Sequence, residues 1–203
     1  MPSKIDICNL ALAHLGDEAT VSSIAPPEGS AQAEHCARFY PVARDALLEA
    51  HAWTFATTRA PLALLADTPP AGWLYAYARP NESMRLLAVL DSSSVDDTDT
   101  REFTLEISAT TGARIILTNT ANAVACYTFR QDDPATYPPM FVDALAGLLA
   151  SYLAGPVVKG SAGVALAKTW ATGFAAQIAM AKAADANQRH VKTQHTPGWI
   201  EAR

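Results

Sequence analysis

The chain has 203 residues, half of them hydrophobic, and a formal net charge of −5. That length supports one large domain or two small ones with a real core. The acidic balance argues against a general nucleic-acid binder, which needs a cationic face to release counterions. Cys8, Cys36 and Cys126 are far apart and lack metal-type spacing, which points to synthesis in a reducing cytoplasm.

The N-terminus, MPSKIDICNLALAHLG, opens as a helix and not as a charged leader with an apolar core. Ser3 and Asp6 form a capping box for a first helix running to about Leu15 and stopped at Gly16. Ile7, Cys8, Leu10 and Ala11 are expected to face inward. The connector DEATVSSIAPPEG is polar except for Val21 and Ile24, which can plug beneath it. Pro26, Pro27 and Gly29 then reset the direction, and Ser30 caps a long helix. In that helix Ala33, Cys36, Ala37, Tyr40, Ala43, Leu47 and Ala50 recur at the helical period. Gln32, Arg38, Asp45 and Glu49 take the other side. Pro41 removes a backbone donor and crowds the carbonyl of Ala37, so a kink or a split into two helices is expected there.

From Trp53 to about Arg130 the period becomes alternating. Trp53-Thr54-Phe55 reads as an extended first step, and WLYAY at 73–77 puts Trp73, Tyr75 and Tyr77 on one face of a strand. Further strands are expected at 86–90, 103–107, 114–118 and 124–129, with a turn at Thr111-Gly112. The 103–107 segment alternates as a half-buried antiparallel strand does. The acidic stretch 91–100, DSSSVDDTDT, reads as a solvated hairpin loop; it lacks the glycine and terminal glutamate of a calcium loop.

Thr136 to Pro139 prepares a third helix with Phe141, Leu145, Leu148, Leu149 and Tyr152 as its stripe, ended at Gly155-Pro156. The apolar run 141–158 contains Asp143 and is too rich in alanine and glycine for a bilayer span, so a soluble chain without membrane association is expected. Ser161 is the expected cap of a fourth helix burying Ala167, Trp170, Ala171, Phe174, Ile178 and Ala181. After Asn187 the pattern vanishes into a polar, mildly basic tail. The expected fold is therefore α+β: a bundle of about four helices, one kinked at Pro41, with an antiparallel β insertion and an extended C-terminal tail. The expected boundaries are residues 1–52 and 137–186 for the bundle, 53–136 for the insertion and 187–203 for the tail.

No glycine-rich phosphate loop, GxSxG, HExxH or CxxC occurs. Cys36 with His51 or His14 as base would be the one nucleophile reading, but Cys36 lies on the apolar helix face and reads as packing. His14 and His51, near helix ends, read as partners of last-turn carbonyls. Asp45 and Glu49 read as a solvated face and not as an acid/base pair, and the Trp73–Tyr77 aromatics as sheet core more than a base-stacking platform. No catalytic residue, cofactor or metal ligand is assigned. The tail differs: Arg189, His190, Lys192, Trp199, Ile200 and Arg203 lie in a segment too polar to fold alone, which predicts that a partner protein orders it.

The order of several pieces resembles the tail tubular protein A, or head-to-tail adaptor, family of short-tailed bacteriophages. The pieces are NLALAHLG at 9–16 followed by VSSI at 21–24, the alanine-rich helix after Ser30, HAWTF at 51–55, GWLYAY at 72–77, Arg85-Leu86, and the passage 127–141. The likeness covers nearly the whole chain, and HAWTF is its most specific part. It implies a virion structural protein without enzymatic activity. Such a protein forms a ring of twelve between the portal and the tail nozzle, extends the DNA channel and supports genome ejection. The implied partners are the portal protein, nozzle or other tail proteins and further copies of the chain, with DNA passing without specific binding. The tail residues named above would be its portal contact. A connector of a long-tailed phage and a nucleic-acid-binding module are the alternative readings.

Overall fold

Among the described residues, four α-helices and seven β-strands make a mixed α+β fold with antiparallel sheets. The computed structural model describes residues 2–94 and 99–188. Helix α1 (Lys4–His14) starts on a capping box: Asp6 N–H donates to Ser3 Oγ at 3.1 Å and Ser3 N–H to Asp6 Oδ2 at 2.8 Å. Its buried face is Ile7, Cys8, Ala11 and Leu12, whereas Leu10, expected inside, is exposed. At about 100° per residue, positions 7, 8, 11 and 12 sweep one stripe and position 10 falls behind it. Asn9 then clamps the connector, donating to the Val21 carbonyl at 3.0 Å and accepting from its N–H at 2.7 Å. That two-point bond seats Val21 in the core with Ile24 packed beside it.

Helix α2 (Ala31–Glu49), capped by Ser30, runs through Pro41 as a single helix, so no split occurs. Its buried face includes Leu48 and Arg44 besides Ala33, Cys36, Tyr40, Ala43 and Leu47, while Ala50 is exposed. The chain leaves α2 through a 3-10 turn at Thr54–Ala56, not the extended step expected, and strand β1 (Thr57–Pro61) follows. The aromatic residues cause this. Trp53 is buried in the helical core, where its Nε1–H donates to the Leu47 carbonyl at 2.8 Å and its ring meets Phe141 edge-on at 5.0 Å. Phe55 meets the same ring at 4.9 Å.

The β region adds β2 (Tyr75–Ala78), β3 (Ser83–Leu90), β4 (Thr100–Arg101), β5 (Phe103–Ile107), β6 (Arg114–Thr118) and β7 (Val124–Phe129). They form a four-stranded sheet, β1-β7-β3-β4, and a three-stranded one, β2-β6-β5. Tyr77 and Ile116 of the small sheet cluster with Leu86, Val89 and Ala125 of the large one, so inward faces of the two sheets share a core. Ala76, Ile115 and Leu117 on the opposite face gather Leu65 and Trp73. Strand β5 departs from its half-buried expectation. Phe103 packs against the shared core, but Leu105 and Ile107 are 45% and 70% exposed because β5 is the sheet edge.

Helix α3 (Pro139–Val158) passes through Gly155-Pro156 for one more turn instead of ending there. Val157 and Val158 pack on the helical core and carry it past the proline. It is long and apolar enough to cross a membrane, but here protein buries it: α1, α2 and α4 all pack on it. Lys159 at φ 61° and Gly160 at φ 59° reverse the chain, and α4 (Gly160–Ala186) starts at once. Ser161 is thus inside the helix and does not cap it. Helix α4 returns antiparallel along α3, close enough that a Cβ on Gly163 would sit 2.7 Å from the Ala154 carbonyl oxygen.

Candidate interaction surfaces

Two polar clusters fix the junction between the helices and the sheets. At the first, Asp185 near the end of α4 is 4% exposed and caps the 3-10 turn from outside. It accepts from Thr54 N–H at 3.0 Å and Thr54 Oγ1 at 2.7 Å, while His51 Nε2 lies 3.3 Å away. His51 also meets Trp53 edge-on at 4.9 Å. The HAWTF segment is therefore an anchor: Trp53 and Phe55 pack in the helical core, while Thr54 between them and His51 before them hold α4. At the second, buried Arg44 bonds both Asp45 and Asp132, and Arg130 bonds Asp45 at 3.0 Å. Tyr137 donates to the Gln131 carbonyl at 2.6 Å, and burial pushes its hydroxyl up to about 12. These bonds tie α2 to the passage from β7 into α3. A buried guanidinium is tolerable only when it is paired in this way.

Several expected roles change. His14 does not bond last-turn carbonyls; its ring lies on Trp170 of α4 at 4.4 Å. His51 pairs with Asp185 instead of a carbonyl. Asp45 is held by two arginines and is no solvated surface group. Cys36 lies in the helical core next to Cys8, and that contact together with burial pushes the Cys8 thiol up. Trp73, Tyr75 and Tyr77 do not form one stripe. Trp73 N–H closes a turn onto the Pro70 carbonyl, β2 starts only at Tyr75, and Trp73 packs on the opposite face from Tyr77.

In the acidic loop, Asp91 accepts from Ser93 N–H at 2.9 Å and Asp99 pairs with Arg101 at 2.9 Å. No group of three or more metal-ligating side chains occurs among the described residues. The expected portal contacts Arg189, His190, Lys192, Trp199, Ile200 and Arg203 lie outside the described residues.

Arg44, Asp132, Thr54 and Asp185 are the residues that sequence reasoning missed. Asp185 had a signal: it falls four positions after Ala181, on the stripe that also carries Trp170, Phe174 and Ile178. The other surface feature is α4 itself. Only Gly163, Ala181 and Asp185 are fully buried, Trp170, Phe174 and Ile178 are half-buried, and Val164 and Met180 are 69% and 51% exposed among bare alanines. No known sequence family matches this chain, and no curated protein matches it.

Proposed function

We propose that the protein is a structural, non-enzymatic subunit of a bacteriophage virion: a head-to-tail adaptor that assembles as a ring of twelve between portal and tail nozzle. In this reading the four helices close one bundle around α3, and the sheets face tail proteins or neighbouring copies. The observation that carries it is the outer surface of α4. A helix of 27 residues packs by one narrow stripe and leaves alanines, Val164 and Met180 uncovered. Short side chains let another subunit approach closely, and uncovered apolar surface of this extent is what interfaces use. The order of NLALAHLG, HAWTF and GWLYAY supports the same reading, since HAWTF anchors the sheets to the helices at a fixed place.

The basic tail beyond Gln188 would order on the portal, each copy weakly and the ring tightly through shared effective concentration. The net acidic chain suits a channel that DNA slides through without sticking. The test is native mass measurement of the protein alone and mixed with portal rings. A ring formed with portal, lost on truncation after Gln188 or in the Val164→Ser/Met180→Ser double variant, is the expected result. Persistent monomer in the presence of portal rings, or full assembly by both variants, overturns the reading.

A further inference from the structure

One end of the three-stranded sheet carries two like charges side by side. Arg79 follows β2, and its N–H donates to the Arg114 carbonyl at 3.3 Å, one step beyond the Ala78–Ile115 pair. The two side chains are thus cross-strand neighbours on one face, roughly 5 Å apart at Cβ, where like charges destabilise a sheet. Arg79 is fixed by neutral acceptors and forms no ion pair among the described residues, although the charge of Glu49 reaches it: Nε donates to Ser83 Oγ at 2.8 Å, and Nη2 to the carbonyls of Ser83 and Met84 at 2.9 and 2.6 Å. Burial, and then the charge of Arg114, pull Arg79 below the usual arginine range. The Arg114 side chain is exposed and has no hydrogen bond or ion pair among the described residues.

Both arginines line a cavity of about 410 Å³ with Asn81, Ser83 and Thr111. Asp67 is the one carboxylate of that lining and forms no ion pair with either arginine. The next residue in the cross-strand row after Arg114 is Ile107, and Leu105 stands one row further on the same face; both are exposed. On the other side of Arg114, a polar cleft is walled by Glu49, Glu82 and Asp132 together with Arg130.

We infer that this corner is a docking surface for an acidic peptide, whose carboxylate bridges Arg79 and Arg114 while a neighbouring apolar side chain covers Leu105 and Ile107. Charge complementarity selects the occupant. Two guanidiniums that form no ion pair match a carboxylate, which accepts from both at once. The uncovered aliphatic pair beside them matches a leucine-like residue of the same segment. The carboxylates of Glu49, Glu82 and Asp132 across Arg114 oppose a polyanion, so a nucleic-acid backbone fits less well than a single carboxylate in a peptide. The surface does not depend on ring assembly.

The test uses the full chain and a short fluorescent peptide with one glutamate beside one leucine among neutral residues, read by anisotropy. Binding is expected, and it should weaken by at least about tenfold in Arg114→Gln and in the Leu105→Ser/Ile107→Ser double variant. The glutamine analogue of the peptide should not bind. Arg114 holds no other group, so Arg114→Gln should fold and, with the like-charge opposition removed, melt at a higher temperature than the parent. No binding of the glutamate peptide, equal binding of its glutamine analogue, or undiminished binding by Arg114→Gln overturns the proposal. Competition by short single-stranded DNA as strong as by unlabelled peptide overturns it as well.

Discussion

Helices α3 and α4 are consecutive, joined without a loop, long and rich in alanine, yet their surroundings are opposite. In α3, ten residues are buried, from Phe141 to Ala154 and on every side of the helix. In α4, three are. The difference lies in how many elements pack on each helix. Helix α3 keeps Phe141, Leu145, Leu148, Leu149 and Leu153 on one stripe, about 140° wide, and its small residues are buried as well because α1, α2 and α4 all pack on it. Helix α4 packs mainly on α3, with Trp170, Phe174 and Ile178 along one line, and carries mostly alanine elsewhere, with Val164 and Met180 exposed. Alanine fraction therefore says nothing of burial here. A helix with neighbours on several sides becomes the core, and one packed mainly on a single neighbour becomes a lid with a bare outer face.

Truncation should separate the two most strongly. Phe141→Ala removes a ring that contacts Trp53, Phe55 and Tyr137, and should cost about 3–5 kcal/mol. Trp170→Ala, on a half-buried ring over His14, should cost clearly less although the side chain is larger. Urea midpoints of the two variants measure this, and equal losses would put α4 in the core after all.

Glycines on the two sides of α4 sharpen the contrast with opposite signs. At Gly163 a Cβ would press on backbone of α3, so Gly163→Ala should destabilise by about 1–3 kcal/mol as the helices part. At Gly173 nothing lies within 4 Å, so Gly173→Ala should stabilise by about 0.5–1 kcal/mol through helix propensity alone. A thermal melt of each reads the sign directly.

The end of α4 offers a third comparison, and here sequence was a poor guide. Asp185→Ala strips the Thr54 N–H of its acceptor, leaves the hydroxyl only Gln188 Oε1 at 3.3 Å, and should cost about 1–3 kcal/mol. Hydrogen exchange should then rise in the last turns of α4 and in residues 54–56, while the middle of α3 stays protected. What was legible in the chain was mostly local. The Ser3–Asp6 box, the Ser30 cap and the strands at 103–107, 114–118 and 124–129 are written in neighbouring residues, and they are present. What was not legible depends on distant partners. Asp185 meets Thr54 across 131 positions and Arg44 meets Asp132 across 88. Leu105 and Ile107 alternate as a buried strand should, yet they lie on an edge that the period cannot reveal. Pro156 looked like a helix end because ring and missing donor oppose continuation, but the packing of Val157 and Val158 outweighed both.

The smallest effect concerns how the helices begin. Neither α3 nor α4 has a side-chain cap, since Pro138 and Lys159 stand at their starts. The first helix and the connector after it depend on carboxylates instead. Hydrogen bonds from the Ser3 backbone and hydroxyl hold Asp6 below its usual range, and those from the Ser22 hydroxyl and backbone do the same for Glu28. Groups with lowered folded-state values stabilise the fold above their ordinary range and lose that contribution as pH falls through the lowered values. Both carboxylates are fully exposed, so solvent screens them and the change should be slight. Acidification should therefore raise amide exchange in the first turn of α1 and in residues 22–28, while the starts of α3 and α4 show no matching step. Ser3→Ala should remove the α1 component and leave that of residues 22–28. If the acid step at α1 survived Ser3→Ala, the box would not be its cause, and a group elsewhere on α1 would have to carry it.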